Sequence, residues 1–180
     1  MIPMAGWLTA LLLVAGVGGR PVRVLPKPRP MASAPAAGPV HFMTASPASI
    51  SFQAGDPDSP SVPGNSAAVV TWSATGNNGR TWNLTVRSAA SSFTNCPTVP
   101  VSAVTVTCTG ATVSDGGRGT CAAPFTLSTS PQILIGGNEG SGGNADYAVN
   151  LSFTLADSWK YIARTSPQCS LFLTYTATLD

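Results

Sequence analysis

The chain has 180 residues, 43% of them hydrophobic and only 9% charged, with a formal net charge of +2 at pH 7. Arg20, Arg23, Lys27 and Arg29 precede Thr44, and from Thr44 onward five Lys/Arg face seven Asp/Glu, a net of −2. A faintly acidic body without a basic stripe speaks against nucleic-acid binding, and so few charges, against about 25% in ordinary globular domains, leave Ser, Thr, Asn and Gly to supply the polarity.

Residues 1–19 read as a signal peptide or an anchor. Ile2 to Val17 is apolar, and Gly16, Gly18 and Gly19 supply the small residues of a cleavage zone. The run falls short of the ~20 residues a spanning helix needs. No Lys or Arg precedes it and the basic cluster follows it, the reverse of the usual signal order. Membrane contact is expected only through an uncleaved leader. Residues 20–43 alternate proline with basic or small residues and read as an extended linker unable to bury a core.

Residues 44–180 are expected to form the domain, and period-2 alternation dominates them. Ile50 and Phe52 share one face of a first strand, and Val70 with Trp72 share one face of the next. Gly76-Asn77-Asn78-Gly79 carries turn chemistry, and Trp82, Leu84 and Val86 resume the pattern, so the two flanking strands read as a hairpin. Val104, Val106 and Cys108 alternate, then Phe125 with Leu127, then Ile133 with Ile135. Tyr147, Val149, Leu151, Phe153 and Leu155 give the clearest strand. The last places Cys169, Leu171, Leu173, Tyr175, Ala177 and Leu179 on one face. The expected fold is an all-β, antiparallel, Ig-like or jelly-roll-like sandwich of about 7–9 strands. Trp72 and Trp82 keep the phase of the aliphatic positions and are assigned to the core. Trp159 lies off the pattern and, with Tyr161, is a candidate ligand contact.

Cys96, Cys108, Cys121 and Cys169 form an even set with no C-x-x-C pair and no accompanying histidine, which points to disulfides rather than zinc. Of the three possible pairings, Cys96–Cys108 with Cys121–Cys169 is expected. Catalytic devices find little support. His41 is the only histidine and lies in or beside the linker. Gly140-Ser141-Gly142 has Glu139 where a nucleophile elbow needs glycine. No carboxylate pair stands out, so no enzyme and no cofactor are expected. Asp56 and Asp58, or Asn138 and Glu139 with Asn144 and Asp146, offer oxygen ligands for Ca²⁺, although these residues are also ordinary turn formers. Asn83-Leu84-Thr85 and Asn150-Leu151-Ser152 match the glycosylation pattern inside strands.

An ordered set of segments carries a resemblance: Ile50-Ser51-Phe52, Asp56-Pro57-Asp58, Arg80-Thr81-Trp82-Asn83-Leu84-Thr85-Val86, Val99 to Val104, Leu151 to Tyr161, and Leu173 to Leu179. Over roughly residues 48–180 the chain resembles uncharacterised secreted bacterial β-sandwich proteins and, more distantly, WxL-type cell-surface domains. It departs from the latter by its four cysteines and by Leu173-Thr174-Tyr175 where a W-x-L element would stand. The resemblance implies a secreted or cell-surface, non-catalytic structural or binding module of a bacterial envelope. Its expected partners are envelope polymer, glycan or another surface protein. A carbohydrate-binding module and a pilus- or fibre-like assembly subunit are the alternatives. If the strand Cys169–Leu179 lies at a sheet edge, assembly gains weight; if it lies inside a sheet, binding through loops gains.

Overall fold

The computed structural model describes residues 7–14, 40–53, 61–75, 79–161 and 168–180, the first of these segments as backbone only. In chain order the strands are β1 (Trp7–Val14), β2 (Val40–Ser46), β3 (Ser49–Gln53), β4 (Ser61–Pro63), β5 (Ala68–Thr75), β6 (Thr81–Ser88) and β7 (Ser92–Phe93). Then come β8 (Cys96–Pro100), β9 (Val104–Val113), β10 (Arg118–Cys121), β11 (Phe125–Thr126), β12 (Gln132–Asn138), β13 (Asn144–Ala156) and β14 (Cys169–Leu179). A single 3-10 turn, Val101–Ala103, is the one helical element among the described residues, and none of the described helices is long and apolar enough to cross a membrane.

The strands form a sandwich. One sheet has the order β10-β12-β6-β14-β1-β3, the other β11-β9-β13-β5-β2 with β4 added along β13, and β7-β8 make a small third ladder. Every pairing is antiparallel except that of β1 with β14. The alternation read from sequence is the burial pattern. Tyr147, Val149, Leu151, Phe153 and Leu155 of β13 are buried, as are Cys169, Leu171, Leu173, Tyr175, Ala177 and Leu179 of β14. These two rows line the same core from opposite sheets, because strand side chains point alternately in and out.

At the centre Trp72 stacks on Tyr147 with centroids 4.7 Å apart and planes 1° from parallel. Trp82 meets both rings edge-on, at 5.7 and 5.2 Å. Such pairs add roughly 0.5–1.5 kcal/mol each beyond their area. Neither indole N–H has a hydrogen-bond partner among the described residues, so the two indoles are held by packing.

Three expectations are corrected. First, β5 and β6 are not a hairpin. They belong to different sheets, β5 pairing with β13 and β2, and β6 with β12 and β14. Both strands carry a Trp on the inward face, and these apolar faces meet across the core rather than side by side. The chain therefore changes sheet between β5 and β6. Second, the disulfides are Cys96–Cys169 and Cys108–Cys121, with Cα separations of 5.3 and 5.4 Å. Reciprocal hydrogen bonds between Thr94 and Ser170 bring Cys96 beside the start of β14. Cys108 of β9 and Cys121 of β10 face each other from different sheets, so this bridge closes one flank of the sandwich. Third, Ile133 does not share a face with Ile135. A bulge between them sends Leu134 and Ile135 into the core and leaves Ile133 56% exposed.

The sheets also reach further toward the N-terminus than residue 44. Val40 and His41 pair with Ala74 and Ser73, and β1 falls within the stretch read as a leader.

Candidate functional site

The outer face of the β2-β5-β13-β9 sheet holds a shallow depression of about 460 Å³. Register explains its lining. Asp146 sits opposite Ser73, and Ala148 lies between Thr71 and Thr112. Their inward neighbours Trp72 and Tyr147 form the aromatic core beneath. Apart from Ala148, the outward-facing lining is therefore hydroxyls and one carboxylate: Thr71, Ser73, Thr112, Ser114 and Asp146.

Phe42 stands at the rim and is 89% exposed. The register of β2 on β5 slips between His41 and Thr44, and Phe42 there has φ +47°. An aromatic residue in the left-handed region is uncommon and costs of order 1 kcal/mol or more, held only where its surroundings over-determine it. Bulges re-aim side chains, and this one turns a large ring out into solvent over a polar surface. The neighbouring hydroxyls are held in place: Thr44 Oγ1 lies 2.7 Å from Thr71 Oγ1, and Ser73 Oγ donates to the His41 carbonyl at 3.4 Å. His41 Nε2 is 3.5 Å from Thr75 Oγ1, so the lone histidine belongs to this hydroxyl network within β2.

The loops beside the depression are tied together by Asp115. Its carboxylate accepts from Gly117 N at 2.9 Å and Gly140 N at 3.0 Å. Ser114 Oγ accepts from Asp146 N at 2.8 Å, and Ser114 N donates to the Asp146 carbonyl at 3.0 Å. Behind them the Tyr147 hydroxyl donates to the Glu139 carboxylate, which is itself buried. A buried carboxylate is tolerated where donors meet it.

In comparisons with protein-family models, with curated proteins and with solved structures, nothing matches this chain.

The residues singled out from sequence are distributed as follows. Asn138, Glu139, Asn144 and Asp146 do fall near one end of the sandwich, but Glu139 is directed to Tyr147, whereas Asn144 and Asp146 are exposed. Among the described residues no three His, Cys, Asp or Glu side chains come together to hold a metal ion. Asp56 and Asp58 lie outside the described residues. Trp159 is 74% exposed on a turn in which Tyr161 N donates to the Ser158 carbonyl at 2.9 Å. Tyr161 instead packs partly against the core. This turn follows the far end of the 13-residue β13, roughly 30 Å along the strand from the Phe42 depression. Sequence reasoning missed Phe42, which fell in the segment assigned to the linker, and Asp115. The Ser114-Asp115-Gly116-Gly117 run is a recognisable turn signal for the second.

Proposed function

We propose that this chain is an exported module of a bacterial envelope that works by binding or assembly. The observation that carries the reading is the pair of disulfides, one of which closes the flank of the sandwich. Bridges of this kind persist in oxidising compartments. The apolar N-terminal run and the hydroxyl-rich, charge-poor outer strand positions support it. The test is the intact mass of the exported product, before and after reduction and alkylation, from a secretion-competent bacterial host. Export with no alkylatable thiol until reduction is the expected result. A retained chain with four free thiols overturns the reading.

A second reading, glycan recognition, is favoured by Phe42. A solvent-facing ring at the rim of a hydroxyl-lined depression supplies a stacking surface beside hydrogen-bonding groups, the combination that orients a neutral polyhydroxylated ligand. Screening envelope polysaccharides against the wild type and Phe42→Ala tests it. Loss of binding by about tenfold or more in the variant is expected for an aromatic anchor, and equal binding removes Phe42 from the site.

A further inference from the structure

The sheet order β10-β12-β6-β14-β1-β3 places β1 between two strands that do not touch each other along their length. Seven residue pairs join β1 to β14, from Leu8↔Cys169 to Val14↔Tyr175, and five join it to β3, from Trp7↔Gln53 to Leu11↔Ser49. Both walls of this slot are held from their other sides. Ser51 of β3 exchanges hydrogen bonds with Asn65, its N donating to Asn65 Oδ1 and its carbonyl accepting from Asn65 N, both at 2.9 Å. Ile50 and Phe52 are sunk in the core. The β14 wall is fixed by β6, by the Thr94–Ser170 bonds, by Ala89 N donating to the Phe172 carbonyl at 2.9 Å, and by the Cys96–Cys169 bridge. Apart from its ladder with β1, the β3 wall is held by the Asn65 bonds and its two core side chains, and the β14 wall by β6 and the bridge.

The strand inside the slot comes from the stretch that reads as an export signal. Taking β1 away leaves two facing rows of unpaired backbone N–H and C=O groups, a template for strand addition. The occupant it fits is extended, apolar, free of charge and free of proline, as Trp-Leu-Thr-Ala-Leu-Leu-Leu-Val is. The proline-rich residues 20–39 do not meet that requirement, since proline cannot donate to a ladder.

We propose that the slot between β3 and β14 is a strand-acceptor site for Trp7–Val14, and that a chain cut between this segment and Val40 accepts the same segment in trans from a second copy that keeps it. The 25 residues 15–39 separate the strand from β2; fully extended they reach roughly 80 Å, enough for donation to a neighbour. The acceptor arises wherever the segment is removed, so its biological relevance rests on the export reading above, while its existence does not. β14 is then an interior strand in the complete chain and an edge strand in the cut one.

The experiment uses the full chain, folded and oxidised, with a specific protease site placed within residues 20–39 and cut after folding. The expected result is that the N-terminal fragment co-elutes with the body on gel filtration under native conditions, separates in denaturant, and is replaced by a labelled peptide of residues 7–14 carrying solubilising lysines. Ala10 pairs on both sides, with Leu171 and Ile50. Ala10→Pro should therefore release the fragment roughly 10- to 100-fold faster, whereas Gly18→Pro, four residues past the strand, should not. Prompt separation of the wild-type fragment from a body that stays folded by circular dichroism overturns the proposal, and so does equal retention of the Ala10→Pro fragment. The mass test of export is independent: free thiols in an unexported chain sink the export reading and leave the nicking result standing.

Discussion

Tyr175 supplies the sharpest test of the core. Its side chain is fully buried on β14, and its hydroxyl has no hydrogen-bond partner among the described residues. Burial pushes its phenol far above the ordinary value near 10, because the tyrosinate would stand in an apolar core. Tyr175→Phe removes an unsatisfied polar atom with little change of shape. At pH 7 the variant should be as stable as the wild type or more stable, by about 1 kcal/mol. The pH dependence carries a sign. With the folded pKa raised, stabilisation is complete below pH ~10, where neither state ionises. Above it the unfolded tyrosine releases its proton and the folded one does not, so wild-type stability falls as pH rises, by about 1.4 kcal/mol between pH 8 and 11 from this group alone. The variant lacks this contribution, so its advantage should widen by that amount. Urea titrations of both proteins at pH 7, 8, 10 and 11 measure it. A loss above ~1 kcal/mol in Tyr175→Phe at pH 7, or a difference that does not grow with pH, refutes the buried, unpartnered phenol.

The same exchange at Tyr147 should act in the opposite direction: Tyr147→Phe takes a donor from the buried Glu139 carboxylate and should cost about 1–3 kcal/mol in urea unfolding. The bridges should be unequal. Cys96–Cys169 spans 73 residues and Cys108–Cys121 spans 13, so chain entropy alone makes a double Ser replacement of the first costlier by about 1.5 kcal/mol, as denaturant midpoints of the two double variants would report. Phe42→Ala should leave stability within about 0.5 kcal/mol, since the ring is exposed; a larger loss by thermal melting would show that the rim residue is structural.

Much of this architecture was legible because β-structure with one buried face writes itself as alternation. The rows of β13 and β14 could be read residue by residue, and the assignment of Trp72 and Trp82 to the core followed from their phase. What failed was everything that depends on which strands meet. Alternation fixes which face of β5 and of β6 is apolar but not whether the two lie in one sheet, and the turn residues at 76–79 suit either outcome. The cysteine pairing failed for the same reason. Cys96 and Cys108 are near in sequence, yet the 3-10 turn at Val101–Ala103 separates β8, in the small β7-β8 ladder, from β9 in the large sheet. Bulges were equally silent. The slips at Ile133 and at Phe42 each move one residue to the other face, and the second creates the most exposed aromatic of the candidate site. The N-terminal strand was hidden by an alternative physical meaning, since an apolar run serves a signal and a strand alike.

The two candidate surfaces lie on opposite layers, and this makes them separable. Phe42 and its hydroxyls belong to the β2-β5-β13-β9 sheet, whereas the strand slot belongs to the sheet of β3 and β14. They share neither a lining residue nor a strand, although β2 follows the slot's occupant in the chain. β2 does approach β1 and β14, but Phe42 and Ala10 share no pairing partner, and sites without shared partners usually act additively. Phe42→Ala should therefore leave retention of the cut N-terminal fragment unchanged, and Ala10→Pro should leave polysaccharide binding unchanged. If Ala10→Pro abolished binding as well, the depression would depend on β1 through β2, and the sandwich would have to be read as one coupled unit in which filling the slot sets the position of Phe42.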